Sequence, residues 1–199
     1  DWSSDVCSSD LQMLAACLAY LAHRQGDRIG LLGGSNGSLR WMFPSSGSES
    51  FKSIVSGIGS MVPSGSDMAD DAWHKFKANL PAQATVVVIS DFLENEEKLK
   101  ERLSFALSPR YDCLCVQVLD PTEEDLPEAD ALRFYELEGV REVSVSPARI
   151  RARYRNRFGV HLESLSSIMA STGCLFTTVR TKDDLGHGIR RFLGMRGVA

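Results

Sequence analysis

Apolar residues recur along this chain with two alternating periods, one suited to helices and one to buried strands. In residues 12–25, Leu14, Leu18 and Leu21 fall at i, i+4 and i+7 with alanines between them, which predicts a helix. Gly26 stands just past its end, where glycine relieves the left-handed cap. "RIGLL" predicts a short buried strand, "GGSNGS" a tight turn, and "LRWMF" an antiparallel return strand ended by "PSSGSES". A helix is expected from about Ser50 to Met61, then the loop "VPSGSD" and a helix over "MADDAWHKFKANL". "ATVVVIS" is the clearest buried strand, and Asp91 stands at its carboxyl end.

The second half continues the alternation. "NEEKLKERLSFAL" predicts an amphipathic helix, "YDCLCVQVL" a strand, and "LRFYELEGVREVSVS" a hairpin with Glu138-Gly139 near its turn. Ser146 is placed to cap a long helix with Pro147 at its first position, and Ile150, Tyr154, Phe158, Leu162 and Leu165 form that helix's apolar stripe. "CLFTTV" and "DLGHGIRRFLGMR" complete the pattern as a strand and a helix. Strands alternating with helices of this length predict one α/β domain: a mostly parallel sheet with helices on both faces.

The opening "DWSSDVCSSDL" breaks the rhythm. It holds three Asp and four Ser in 11 residues with neither period. In one reading frame, a common short-read sequencing adapter translates to this string. Residues 1–11 are therefore expected to be a non-native segment, to pack poorly, and to be set aside in fold reasoning. Asp1, Asp5 and Asp10 supply most of the formal net charge of −4, so the remainder is nearly neutral. That balance calls for neither nucleic acid nor an anionic membrane surface. No apolar run reaches the roughly 18–20 residues of a membrane span, and cysteines that read as reduced thiols point to a cytoplasmic protein. The chain has no initiator Met, which leaves open an anchor in a longer parent.

The reactive residue types are scattered. Of five cysteines, Cys7 lies in the odd opening, Cys17 in a helix, Cys113 and Cys115 on one face of a strand, and Cys174 before another strand. Without a second Cys/His pair to complete a zinc site, they read as reduced core thiols. His23, His74, His161 and His187 pair with no nucleophile, and His161 reads as a packing residue beside its helix's apolar stripe. "GGSNGS" lacks the Lys and spacing of a phosphate loop. Arg149, Arg151, Arg153, Arg155 and Arg157 repeat with period two, which scatters them around a helix; Glu136, Glu138 and Glu142 are their expected partners.

Chemistry in an open α/β sheet gathers at the strands' carboxyl ends. Two loops there carry oxygen ligands: "SGSD", with Ser66 and Asp67, and "ISDF", with Ser90 and Asp91. A hydroxyl and a carboxylate on neighbouring strand-end loops suit a hard cation such as Mg²⁺, which takes one or two carboxylates and completes its shell with water. The same residues also read simply as helix caps.

In combination and in order, "LAYLAHRQGDRIGLL", "SGSD", "VVVISDFL", "VQVLDPTEEDLP", "RFYELEG" and "VSPARIRARY" resemble a bacterial family. The likeness is to the von Willebrand factor A-like domain of the domain-of-unknown-function 58 family, over residues 12–199 as the C-terminal part of a longer protein. The resemblance implies a doubly wound sheet and a metal-ion-dependent adhesion site, built from an Asp-x-Ser-x-Ser loop, a Thr before a later helix and an Asp after the fourth strand. Ser66 falls on the Thr position and Asp91 on the last Asp position; both become metal ligands by this likeness, with Mg²⁺ as the implied ion. The Asp-x-Ser-x-Ser loop belongs just before residue 12, but no hydrophobic strand precedes "DWSSD" or "DVCSS", so neither is that loop. The family's association with MoxR-type AAA+ ATPases implies a non-enzymatic interaction module serving that ATPase and its client proteins. The alternative is an α/β enzyme or phosphoacceptor domain using Asp91, which mass analysis after incubation with a phosphodonor would reveal.

In the family's strand order the first strand lies between "RIGLL" and "VVVIS". A chain lacking it is expected to expose apolar strand edges and, expressed alone, to be insoluble or loosely packed. A cooperative unfolding transition from a soluble monomer would contradict this.

Overall fold

A computed structural model describes residues 2–35, 38–61, 70–126, 132–135, 142–181, 190 and 194. The chain divides into two compact units, Asp1–Ala84 with Leu185–Ala199, and Thr85–Asp184. It is mixed α/β, with a three-stranded parallel sheet flanked by helices and two antiparallel hairpins. Among the described residues, no helix is long and apolar enough to cross a membrane.

In the first unit, α1 (Trp2–Gln25) leads to a hairpin of β1 (Ile29–Ser35) and β2 (Ser38–Ser45), followed by α2 (Ser48–Gly59) and α3 (Asp70–Ala78). The apolar pattern placed the start of α1 at residue 12, yet the helix runs back to Trp2. Extending a formed helix fixes one residue per added hydrogen bond, so an aperiodic segment joins it at little cost once the periodic part is in place. Ser9 is exposed, and the side chains of residues 1–8, expected to pack poorly, lie outside those described. The small residues Ala15, Ala16 and Ala19 of α1 let α2 approach, and Ala19, Ile54 and Ile58 are buried against Ile29, Leu31 and Met42 of the hairpin. Gly57 permits that contact: a Cβ there would sit 3.0 Å from Met42 Sδ and 3.2 Å from Leu31 Cδ2.

The second unit contains β3 (Thr85–Ser90), α4 (Glu96–Leu103) and β4 (Asp112–Leu119), then α5 (Pro121–Glu124), a hairpin of β5 (Leu132–Tyr135) and β6 (Glu142–Val145), α6 (Pro147–Thr172) and β7 (Leu175–Arg180). Strand order is β3-β4-β7, all parallel. Two right-handed crossovers advancing in the same direction must lie on the same face. Accordingly Leu99 and Leu103 of α4 share one core with Leu165, Ile168 and Met169 of α6, packed on Cys113 and Cys115 of β4. The opposite face of β4 is also buried, through Leu114, Val116 and Val118.

Local chemistry explains the element ends. Asn95 caps α4 by accepting from the backbone N–H groups of Glu97 and Lys98. The helix expected to continue to Leu107 instead tightens into a 3₁₀ turn over Ser104–Leu107, where the Ser104 hydroxyl donates to the Glu101 carbonyl at 2.6 Å. Ser146 occupies the N-cap position of α6, as expected, but its side chain makes no capping bond; Pro147 at the first position supplies the helical φ. Gly173 ends α6 in the left-handed conformation at φ 72°. The α6 stripe is deepest at its carboxyl half, where Leu165, Ile168, Met169 and Thr172 are buried. Arg151 and Arg155 of α6, one turn apart, both grip Asp125, and the side chain of Glu142, an expected partner, is not among those described. Glu136 and Glu138 and the expected Glu138-Gly139 turn lie outside the described residues, as does the last helix apart from the helical Arg190 and Gly194.

Leu103 is fully buried whereas Leu107, one turn later, is 64% exposed. Leu103→Ala is expected to cost about 2–5 kcal/mol and Leu107→Ala within about 0.5 kcal/mol, read from paired denaturant titrations. Equal losses would refute this placement of the core.

Candidate functional site at the strand carboxyl ends

Three consecutive parallel strands deliver their carboxyl ends to one edge of the sheet. Ser90 is opposite Gln117 in β4, and Gln117 is opposite Thr178 in β7. Gln117 is completely buried, so its amide must be satisfied within the protein. Its Nε2 donates to the Asp91 carbonyl at 3.1 Å and its Oε1 accepts from the Thr178 hydroxyl at 3.1 Å. One side chain thus links all three strand ends.

Asp91 leaves β3 in a tight turn. Its Oδ1 accepts from the Leu93 N–H at 3.1 Å and from the Ser90 hydroxyl at 3.3 Å, while the Phe92 N–H donates to Ser90 Oγ at 3.1 Å. Phe92 has φ 56°, a left-handed conformation costing a bulky residue on the order of 1–3 kcal/mol. Burying its ring, which is 1% exposed, is worth about 1.5–3 kcal/mol, enough to offset the strain. The ring meets Phe176 edge to face at 6.3 Å. Phe92 is therefore the anchor that turns Asp91 away from the core and leaves it half-buried at the sheet edge. Among the described residues, Asp91 Oδ2 accepts no hydrogen bond.

The adjacent strand end carries two more carboxylates. Asp120 caps α5, and Glu123 completes a capping box by accepting the Asp120 N–H at 3.0 Å. Both Asp120 oxygens are engaged: Oδ1 by the N–H and hydroxyl of Thr122 at 2.8 and 2.6 Å, Oδ2 by the Thr181 hydroxyl at 3.0 Å. Burial pushes the Glu123 carboxyl above the ordinary glutamate range, the Asp120 backbone bond pulls the other way, and the charges of Asp91 and Asp120 push it further up. This strand end holds more negative charge than it can comfortably solvate. The loop is fastened from outside as well: the Tyr154 hydroxyl donates to the Glu123 carbonyl at 2.6 Å, and Arg180 forks onto Glu124. The two arginines on Asp125, Arg155 foremost, hold its carboxyl below the usual range.

Of the two sequence-predicted metal ligands, Asp91 is at the sheet edge, and Ser66, with Asp67, lies outside the described residues. Asp120 and Glu123 were missed. The signal that could have revealed them is "DPTE": an acidic N-cap, Pro at the first helical position and Glu at the third, immediately after a strand. His161 lies beside the α6 stripe as expected, and its buried Nε2 makes no hydrogen bond among the described residues.

The four described cysteines are free thiols. Register adds Cys174 to the Cys113–Cys115 pair, and the three sulfurs share a single site. Hydrogen bonds from Cys113 and Cys115 pull the Cys174 thiol down to about 3 against the effect of burial. Cys113 is drawn down by Cys115, but Cys174 and burial outweigh this and push it up to about 12. Cys115 is raised by Cys113, Cys174 and burial together.

The family model described as "Protein of unknown function DUF58" matches residues 7–164, beginning inside the aperiodic opening. Two similar proteins are the uncharacterized protein Rv1480 of Mycobacterium tuberculosis and the uncharacterized protein Mb1516 of Mycobacterium bovis, each 24% identical over 187 residues. Those 187 residues are 92% of this chain and 58% of each relative, so the chain spans little more than half their length. No solved structure matches it significantly.

A raised carboxyl stabilises the fold fully below the ordinary glutamate value of about 4.3, and that contribution is lost as pH rises through the folded-state value. Glu123→Gln keeps an acceptor for the Asp120 N–H and removes the charge. In EDTA, its melting temperature relative to the unaltered protein should therefore become more favourable from pH 4 to pH 7. A difference that shrinks over that range would contradict the crowding of Asp91, Asp120 and Glu123.

Proposed function

This chain belongs to the DUF58 family, and from that premise and the crowded strand-end carboxylates we propose that it is a non-enzymatic protein-interaction module whose contact with a partner is assisted by a divalent cation. The fold in this reading is von Willebrand factor A-like and doubly wound, and Asp91 with Ser66 holds the ion. The observation that carries the reading is Asp91 itself: one carboxylate oxygen closes its own turn and the other is uncommitted among the described residues, beside a glutamate already burdened by excess negative charge. An oxygen-only donor set is hard, which fits Mg²⁺ rather than a transition metal. When bound, the ion would supply a coordination position for a partner carboxylate.

The chain's own residues would do the rest. Phe92 and Ser90 hold the Asp91 turn, Gln117 ties it to the neighbouring strands, and Asp120 keeps its hydrogen bonds as a helix cap. The partner follows from the family resemblance: a MoxR-type AAA+ ATPase and the client proteins on which the two act. A site with few protein carboxylates binds Mg²⁺ modestly, so a partner carboxylate completing the shell would couple ion binding to partner binding.

Titration calorimetry of the full-length parent against its AAA+ partner, with Mg²⁺ and with EDTA, tests this. Affinity should fall in EDTA, and Asp91→Ala should reproduce that fall without lowering the melting temperature appreciably. Ser66→Thr, which keeps the hydroxyl, should bind normally and Ser66→Ala weakly. Equal affinities in Mg²⁺ and EDTA would remove Ser66 and Asp91 from any metal site and leave Asp91 its structural role in closing the turn after β3.

A further inference from the structure

We propose that Cys113, Cys115 and Cys174 form a three-sulfur binding site for a cuprous ion, at the amino-terminal ends of β4 and β7. These are the opposite ends of the strands from the carboxylates of Asp91 and Asp120.

The sheet itself brings the thiols together. Cys113 and Cys115, two residues apart on β4, project to the same face. Leu114 is paired with Leu175, so Cys174, immediately before β7, comes beside Cys113 on that face. The end of α6 fixes Cys174: Gly173 reverses the chain, and the Cys174 N–H donates back to the Met169 carbonyl at 3.0 Å. The three sulfurs all lie within 4.8 Å of one another, and Cys113 and Cys115 are 4.0 Å apart. At a metal–sulfur distance of about 2.3 Å, three sulfurs in a plane around one ion are about 4.0 Å apart. Occupying the site thus requires movements of a few tenths of an ångström.

The donor set selects the ion. All three cysteines are buried, at 3%, 1% and 7% exposure, among Phe92, Leu99, Leu103, Leu165 and Met169. Among the described residues, no His, Asp, Glu or fourth Cys joins the group. Zn²⁺ in a closed site takes four ligands, and Mg²⁺ takes oxygen. Soft sulfur ligands alone, three in number and shielded from water, match Cu(I). The Thr172 hydroxyl lies 3.3 Å from Cys174 Sγ, placed to orient it from the outer shell. Copper stays cuprous on binding; each thiol that ligates releases its proton to solvent, so no oxidant or reductant enters.

The test uses the reduced full chain carrying Cys7→Ser and Cys17→Ser, titrated without oxygen against Cu(I) held by bathocuproine disulfonate. One equivalent should leave the chelator for the protein, and X-ray absorption should show three sulfurs at about 2.3 Å. Cys174→Ala should weaken retention by more than the roughly 10–100-fold that loss of an outer-shell partner costs. Circular dichroism reports whether that variant folds; if it does not, X-ray absorption on the three-cysteine protein decides alone. Failure to withdraw copper, or fewer than three sulfurs on the ion, would overturn the site. Retention of Zn²⁺ in preference to Cu(I) would overturn its assignment to copper.

Discussion

Everything in the second unit follows from the burial of β4 on both faces. From Cys113 to Leu119 its residues are at most 3% exposed, and both of its edges are occupied by parallel neighbours. Parallel neighbours require crossovers, and right-handed crossovers running in one direction set α4 and α6 on one face. The same geometry gathers three carboxyl-terminal strand ends at one edge and their amino-terminal ends at the other. A strand so enclosed has no water for its polar groups, so a polar residue on it must be satisfied by its neighbours. Gln117 is that residue, and the bonds it makes hold the Asp91 carbonyl and Thr178 in place.

The two edges of the sheet differ in chemistry. At the carboxyl edge the chain leaves the core through capped turns, and the side chains that close those turns are oxygen ligands: Ser90, Asp91, Asp120, Thr122 and Thr181. Each has a structural duty, and the duties differ in what they leave over. Asp120 gives both oxygens to its cap, while Asp91 gives one to its turn. Near the amino edge each strand starts on an exposed residue, but Cys113, Cys115 and Cys174 lie in the core with α4 and α6, where a small apolar residue fits and cysteine fills that role. The surplus at the first edge is hard and charged; at the second it is soft and dry.

The buried ion pair of Glu94 and Arg102 belongs to the same design. It joins the loop after Asp91 to the face of α4, with side chains 13% and 7% exposed. Such a pair adds little net stability over a well-packed apolar contact, but removing one partner strands a buried charge at about 3–5 kcal/mol. It fastens the loop that carries Asp91 to α4. The paired grip of Arg151 and Arg155 on Asp125 does the same for the loop after α5, at the surface and at lower energy.

What the sequence determined by itself was the part encoded in short-range pattern. The helical stripe of α6, the strand "TVVVIS" (though only Val86 of it is buried and Val87 is 37% exposed), the antiparallel hairpins and the position of Asp91 after its strand all depend on residues within a few positions of one another, where period, turn chemistry and capping act. The common face of Cys113 and Cys115 was legible for the same reason. Tertiary structure alone decided what depended on strand register: Cys174, 59 residues beyond Cys115, completes the sulfur triad only because β7 pairs with β4 in one alignment. Asp120 joined Asp91, and Asp125 took Arg151 and Arg155 of α6, because those partners are adjacent in space and distant in sequence. A parallel pairing carries no local signature of its register; it is chosen by how the whole core packs, and a shift of one residue would turn the side chains of the shifted strand to the other face.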